Sequence, residues 1–528
     1  MSTQSGTATD YIDMLDKLDT FLTATGHAWG KKFTGTGTGD LTAYIGTSTS
    51  VAETFTLTAT SATNFTVVGS VTGALADATV GTPYTSSKIG FTLTAGGTAY
   101  VAGDVWTINT APKWTRLARW GCADTRKWTT NLSEPIKMID GSVASTGIST
   151  AASTTSYIEF EMVAATSVRR VYMQAPDTTA TRMPTSIALQ WKDNPGDAWT
   201  TAQTFTKGSW ASSEGVIFQT TSDPGSHKYW KLDMSGATTS TAIGEVLLYK
   251  DLTGTITCNQ RAEWVWQSPG LDGARPSYMC MRTVHNQPAD IFNIGLLGFR
   301  SWDSTQLTTA QPGVSIGGAV NAQVKGFMSA SSPFGYWFVV NGQRLIVVMK
   351  IGSVYQICYL GFGLPYEPPS VHPYPMIVAG TYKDASSRYS ITVADYRNPT
   401  DPGHGTMTAY YPDSVWREHA NRTVLTGTEG TIDTAAGYEG KVWPTNYNAT
   451  TIAIDYLKDN IDGSRFLFPC VLYNTVPRHT WGEIDGLYWS TGFGITAETV
   501  IREDRFDHLM IPNVFRNGAK DYGAVRLD

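Results

Sequence analysis

Charge is what this 528-residue chain has least of: only 16% of its residues are Asp, Glu, Lys or Arg, against about 25% in an ordinary globular domain. Thr, Ser and Gly take the surface positions instead, with 51 Gly in all. Such a surface suits turn-rich β-sandwiches and proteins that pack against copies of themselves. The net charge of −6 argues against a general nucleic-acid binder, because neutralising phosphates requires a basic face. Cysteine is also sparse. Cys122, Cys258, Cys280, Cys358 and Cys470 are scattered and odd in number, with no CxxC or other zinc spacing. They read as isolated buried thiols of a protein folded in a reducing cytoplasm, and neither a disulfide framework nor a zinc site is expected. No run of about 18 apolar residues occurs, so no membrane-spanning helix is expected. The opening MSTQSGTATDY has neither the basic region nor the apolar stretch of a secretory leader.

Catalytic signatures are missing too. There is no GxSxG elbow, no GxxxxGK[ST] loop and no GxGxxG after a strand. His285, His404, His419, His479 and His508 show none of the i, i+4 spacing of a helical metal site. Gly403-His404-Gly405-Thr406 follows Asp401-Pro402 and reads as loop punctuation. Asp459-Asn-Ile-Asp462-Gly463 has the start of a calcium loop, but its third position is out of register and the later Glu is absent, so it reads as a turn. Glu483 and Asp485, amid Trp481, Tyr488 and Trp489, are the best pair for glycoside hydrolysis, which uses two carboxylates beside aromatic sugar platforms. Two acids so close on one strand more often form a solvated edge. No catalytic residue, metal ligand or cofactor is assigned, and a polysaccharide-degrading enzyme is the remotest alternative.

What is present is strand after strand. The chain is too long for one core, and its fold class is mainly β: several β-sandwich or jelly-roll domains with one short N-terminal helix. Residues 1–30 hold that helix, over 10–25, with Tyr11, Met14, Leu15, Leu18, Phe21 and Leu22 on one stripe. Thr7 and Asp10 have capping-box spacing, and Gly26 stands where a C-terminal cap belongs. A lone helix of this length is marginal, so its stripe must dock, either on its own chain or on a neighbouring subunit. Residues 31–112 read as a small immunoglobulin-like sandwich. Within it Phe55-Thr-Leu-Thr-Ala59 recurs as Phe91-Thr-Leu-Thr-Ala95, and the two copies are expected to pair as strands. Residues 113–131, with three Trp and several basic side chains, form an interdomain strap that packs its rings and turns its charges to water.

Residues 132–252 alternate as a jelly-roll does. Ile158, Phe160 and Met162 oppose Tyr157, Glu159 and Glu161; Ile187, Leu189 and Trp191 oppose Ser186, Ala188 and Gln190; Trp230, Leu232 and Met234 follow. ALQWKDNPGDAWTT and the closing KYWKLDMSG…IGEVLLY resemble the discoidin-type, galactose-binding-like fold. That resemblance implies loops at one end that bind glycans or lipids in many members, and it transfers no individual contact.

Residues 256–528 carry the most informative stretch. Tyr336–Val340, Leu345–Met349 and Val354–Leu360 are apolar runs joined at Asn341-Gly342 and Gly352-Ser353. Asn-Gly between such runs is a strong hairpin signal, in which both central residues favour positive φ. A Pro-rich strap, Pro365 to Pro375, follows and cannot pair as a central strand. The succession YWFVVNGQRLIVVMK, YQICYLGFGLPYEPP, HPYPMIVAG resembles a group of tailed-bacteriophage virion structural proteins of tail or baseplate type. The resemblance implies a virion component assembled in the bacterial cytoplasm: a baseplate, tail-tip or fibre-like part acting by protein–protein assembly. A head or collar position and a host-glycan-binding, receptor-recognising module are the alternatives. Partners expected on this reading are copies of the chain itself, with a trimer favoured weakly, other virion proteins, and host-surface glycan. No nucleic acid and no membrane span are expected.

Overall fold

The computed structural model describes residues 3–9, 11–120, 125–130, 154–249, 263–270, 273–286, 291–303, 311–315, 325–327, 333–381, 398–400, 406–422, 464–475, 478–490, 494–503, 505–512 and 522–527, with a few isolated positions between. The fold is mainly β, in several antiparallel sheets, and among the described residues it has one α-helix, Tyr11–Ala24. No helix among the described residues is long and apolar enough to cross a membrane.

The hairpin runs explain themselves once both faces of their sheet are seen. Phe334–Val340, Arg344–Ile351 and Val354–Phe362 are neighbours in a 13-stranded sheet. Tyr336, Phe338, Val340, Leu345, Val347 and Met349 face one core, while Val339, Ile346 and Val348 face another. A strand buried on both faces has no polar phase, so its sequence reads as an unbroken apolar run. The first turn is built differently from the expectation. Neither Asn341 nor Gly342 has positive φ. Instead the Asn341 side-chain oxygen accepts the backbone N–H groups of Gln343 and Arg344, both at 2.9 Å, an Asx-type turn. Gly342 serves close packing, since a β-carbon there would stand 2.8 Å from the Trp29 ring. At the second turn Gly352 does adopt φ +62°. The strap contributes only the short strand Leu364–Pro365, off the main path of the sheet.

The margin of this sheet is the strand Thr3–Ala8, which pairs with Phe334–Val340. The following helix docks on its own chain. Met14, Leu15, Leu18 and Leu22 are fully buried with Trp114, Trp264, Trp266 and Phe338, so no neighbouring subunit is needed to cover the stripe. The cap differs from the Thr7–Asp10 pairing. Thr7 lies in the strand, Asp10 lies outside the described residues, and Asp13 reaches back to the Thr9 N–H at 2.8 Å. Gly26 is not left-handed. Its N–H bonds Thr47 O at 2.7 Å, and a β-carbon would clash with Ser50 and Ala111. Close approach therefore fixes glycine there.

Two sandwiches lie between the helix and the hairpins in sequence. In the first, the strand Glu53–Ala59 belongs to a five-stranded sheet and Ile89–Thr94 to a three-stranded one. The repeated blocks therefore do not pair with each other. Both turn Phe and Leu inward from opposite sheets, so Phe55, Leu57, Phe91 and Leu93 meet in one core with Trp106. Most of the described part of 113–131 is strand rather than a free strap: Thr115–Trp120 pairs with Glu263–Gln267, and Thr125–Thr130 pairs with Ser156–Ser167. Trp114 is buried and donates to Asn341 O at 3.1 Å. The second sandwich sets Thr125–Thr130, Ser156–Ser167, Ser226–Ser235, Ser186–Lys192 and Thr200–Thr206 over Gly215–Gln219, Arg170–Gln174 and Glu245–Tyr249. Ile158, Phe160, Met173, Leu189, Trp230 and Val246 fill the space between.

Candidate functional site

The alternation that buries Ile158, Phe160 and Leu189 leaves the other phase of the same strands facing out. Register makes rows of it. Glu159, Lys231 and Gln190 stand abreast, and so do Glu161, Tyr229 and Lys192, with Tyr157 beside Asp233 at the next step. All but the exposed Asp233 are half-buried. A turn over 193–198 brings Trp199 back over this face. The turn is pinned by Asp197, whose carboxylate accepts the Asn194 N–H at 2.9 Å, and by Lys192 Nζ on Pro195 O at 2.8 Å.

The result is three rings interleaved with two ammonium groups. Lys192 Nζ lies 4.5 Å from the Trp199 ring and 5.8 Å from that of Tyr229. Lys231 Nζ lies 5.3 Å from the Tyr157 ring and 5.8 Å from Trp199, and also pairs with Asp233 at 3.3 Å. Each such contact is worth about 0.5–1 kcal/mol at an exposed site, a bias toward this arrangement of rings and ammonium groups.

The corner beneath is braced by stacking and hydrogen bonds. Trp191 stacks on His227 with ring centroids 3.5 Å apart. The two His227 ring nitrogens lie 2.8 Å from Pro224 O and 3.1 Å from the Asp193 carboxylate. Asp223 fixes the loop carrying Pro224. It accepts the Gly225 N–H at 3.0 Å and the Ser167 hydroxyl at 2.8 Å, bonds that hold its carboxyl below the usual range.

Chemically, an aromatic surface edged by Lys, Gln and Glu can cover the apolar face of a ring-shaped polyol while its rim bonds the hydroxyls. The WKDNPGDAW segment was legible as strand, turn and Trp. Tyr157, Tyr229, Lys231 and His227 were missed. The available signal was two tyrosines on the outward phase of alternating strands, where an aromatic ring serves no core.

The glycosidase candidate comes apart. Glu483 is half-buried and accepts the Tyr366 hydroxyl at 3.0 Å. Asp485 is buried, taking Arg344 Nε at 2.6 Å, Asn341 Nδ2 at 3.2 Å and Arg526 Nη2 at 3.1 Å. Burial alone would raise its pKa, but the two guanidinium groups outweigh it and hold the carboxyl below its ordinary value. A carboxylate so engaged neither donates a proton nor meets a substrate, so Asp485 is a structural ion-pair partner. His419 is buried against the Tyr411 hydroxyl at 3.1 Å, and His508 is buried. Among the described residues no group of three His, Cys, Asp or Glu could hold a metal. Residues 403–405 and 459–463 lie outside the described residues, as do Cys122 and Cys258. Cys280, Cys358 and Cys470 are buried thiols, and burial pushes Cys358 up to about 12, far from reactive.

No family model and no curated protein matches this chain. Solved structures do resemble part of it. The F5/8 type C domain of a Bacteroides fragilis protein is 11% identical, covering 26% of this chain and 98% of its own, with a TM-score of 0.22. The family 32 carbohydrate-binding module of Clostridium perfringens NanJ, solved with galactose, is 13% identical over 25% and 98%, with a TM-score of 0.21. A pectin-binding carbohydrate-binding module is 19% identical over 25% and 94%, with a TM-score of 0.20. The first two are discoidin-like domains of the F5/8 type C and family 32 kind.

Proposed function

We propose that this chain is a structural component of a tailed-phage particle whose second sandwich binds a host-surface glycan. The observation that carries the binding half is the outward platform of Tyr157, Trp199 and Tyr229 with Lys192 and Lys231 between the rings. The particle half rests on the resemblance of the 331–380 hairpin region to tail and baseplate proteins. Assembly with copies of the chain, with a trimer as the working stoichiometry, belongs to the particle half and rests on the low-charge, Thr-, Ser- and Gly-rich strand surfaces. No catalytic step belongs to this reading.

The test is a glycan array and host-cell pull-down with the full chain and with Trp199→Ala. The wild-type chain binds, and the variant, whose ring is half-exposed, keeps its fold and loses binding by about tenfold or more. A wild-type chain that binds neither cells nor any glycan sinks the proposal. Electron microscopy of particles labelled with antibody to the chain tests the particle half by itself, and separates tail from head or collar.

A further inference from the structure

At the margin of the 13-stranded sheet a groove of about 530 Å³ opens, and we infer that it is a second saccharide-binding site, for a neutral disaccharide-sized glycan unit. Register sets its walls. Ser5 stands opposite Trp337 and Thr7 opposite Gly335, while Gly335 stands opposite Lys350 on the other side. Ser5, Trp337, Thr7 and Lys350 therefore share one face of the sheet. Trp337 sits where the core opens to solvent, packed against that core yet half-exposed. The far edge of its indole lies 3.8 Å from where a β-carbon on Gly335 would stand. No side chain at 335 therefore comes between the ring and the groove.

Glu498 closes the groove from the turn that precedes the strand Val500–Glu503. It holds φ +69°, a left-handed conformation that side chains seldom adopt and that marks functional sites when the surroundings enforce it. Here they do: its N–H bonds Met510 O at 2.8 Å, and its carboxylate takes the Tyr355 hydroxyl at 2.5 Å and the Lys350 ammonium. The Lys350 and Tyr355 hydrogen bonds keep the acid ionised, below its ordinary pKa. An indole floor, two hydroxyls and an ammonium–carboxylate pair in a cavity of this size match a sugar better than an ion or an apolar ligand. The apolar ring would take the CH face of a pyranose and the polar rim its hydroxyls. The groove shares no residue with the Trp199 platform, so the inference stands apart from the proposed function.

The experiment uses the full chain carrying Trp199→Ala, with lactose, cellobiose and N,N′-diacetylchitobiose as probes in saturation-transfer NMR and calorimetry. At least one probe binds. Adding Trp337→Ala abolishes that binding, and adding Glu498→Gly weakens it by about tenfold. Glu498→Gly relieves the left-handed strain, so the fold survives even if Trp337→Ala disturbs the core. Absence of binding by all three probes, or binding that Glu498→Gly leaves unchanged, overturns the inference.

Discussion

Replacing Asp485 by Asn removes one charge and leaves two guanidinium groups facing an amide. Arg344 has no exposure at all, and the Asp485 side chain only 7%, so water cannot compensate Arg344. Arg526 retains 18% exposure and can re-solvate. Breaking a buried pair by removing one partner costs about 3–5 kcal/mol, because the remaining charge stays buried and unpaired. The loss falls on Arg344–Ile351 and Arg478–Ser490, the strands that carry the pair. Urea denaturation followed by hydrogen exchange in those two strands reads it directly. Glu483→Gln is the control, a half-buried surface change expected to stay within about 0.5 kcal/mol. The pair also has a pH signature. The folded pKa lies below the unfolded value, so its contribution is complete above the unfolded pKa, about 3.9, and disappears as pH falls through the folded one. An Asp485→Asn chain of wild-type stability refutes this reasoning. So does polysaccharide hydrolysis by the wild type that vanishes in that variant while its stability holds.

Burial holds His27 neutral, with its pKa lowered from 6.5 to about 4. Its contribution is therefore complete above 6.5 and is lost progressively down to about 4, some 3 kcal/mol in all; His27→Gln should flatten that part of a stability–pH profile. Leu18→Ala, in the fully buried helix stripe, should cost about 2–5 kcal/mol and raise hydrogen exchange in Tyr11–Ala24 and its supporting strands, whatever the oligomeric state by light scattering. At Gly486, φ is +75° and a β-carbon would lie 2.5 Å from Arg344 Nη2. Gly486→Ala should therefore destabilise by at least about 1 kcal/mol, measured by the same denaturation.

The helix, the hairpins and the alternating strands could be read because each depends on a local period. Leu15 and Leu18 follow the helical one, Ile158 and Phe160 the strand one. The Asn341 turn could not be read correctly, because an Asn side chain bonding its own loop and a left-handed Asn-Gly share the same letters. The two Phe-Thr-Leu-Thr-Ala blocks misled for a related reason. Identical strands say which face is apolar, but not whether they are neighbours in one sheet or opposed across a core.

The sequence by itself determined which residues are apolar, at what period, and where glycine and proline interrupt them. That was enough for a mainly β chain with one short helix. Tertiary structure alone decided which distant segments meet. It set Thr3–Ala8 against Phe334–Val340, placed Asp485 between Arg344 and Arg526, and gathered Tyr157, Trp199 and Tyr229 around two lysines. Charge pairing, burial and ring contacts act between groups a few ångströms apart in space, and strand register across hundreds of residues, not local pattern, fixes which groups those are.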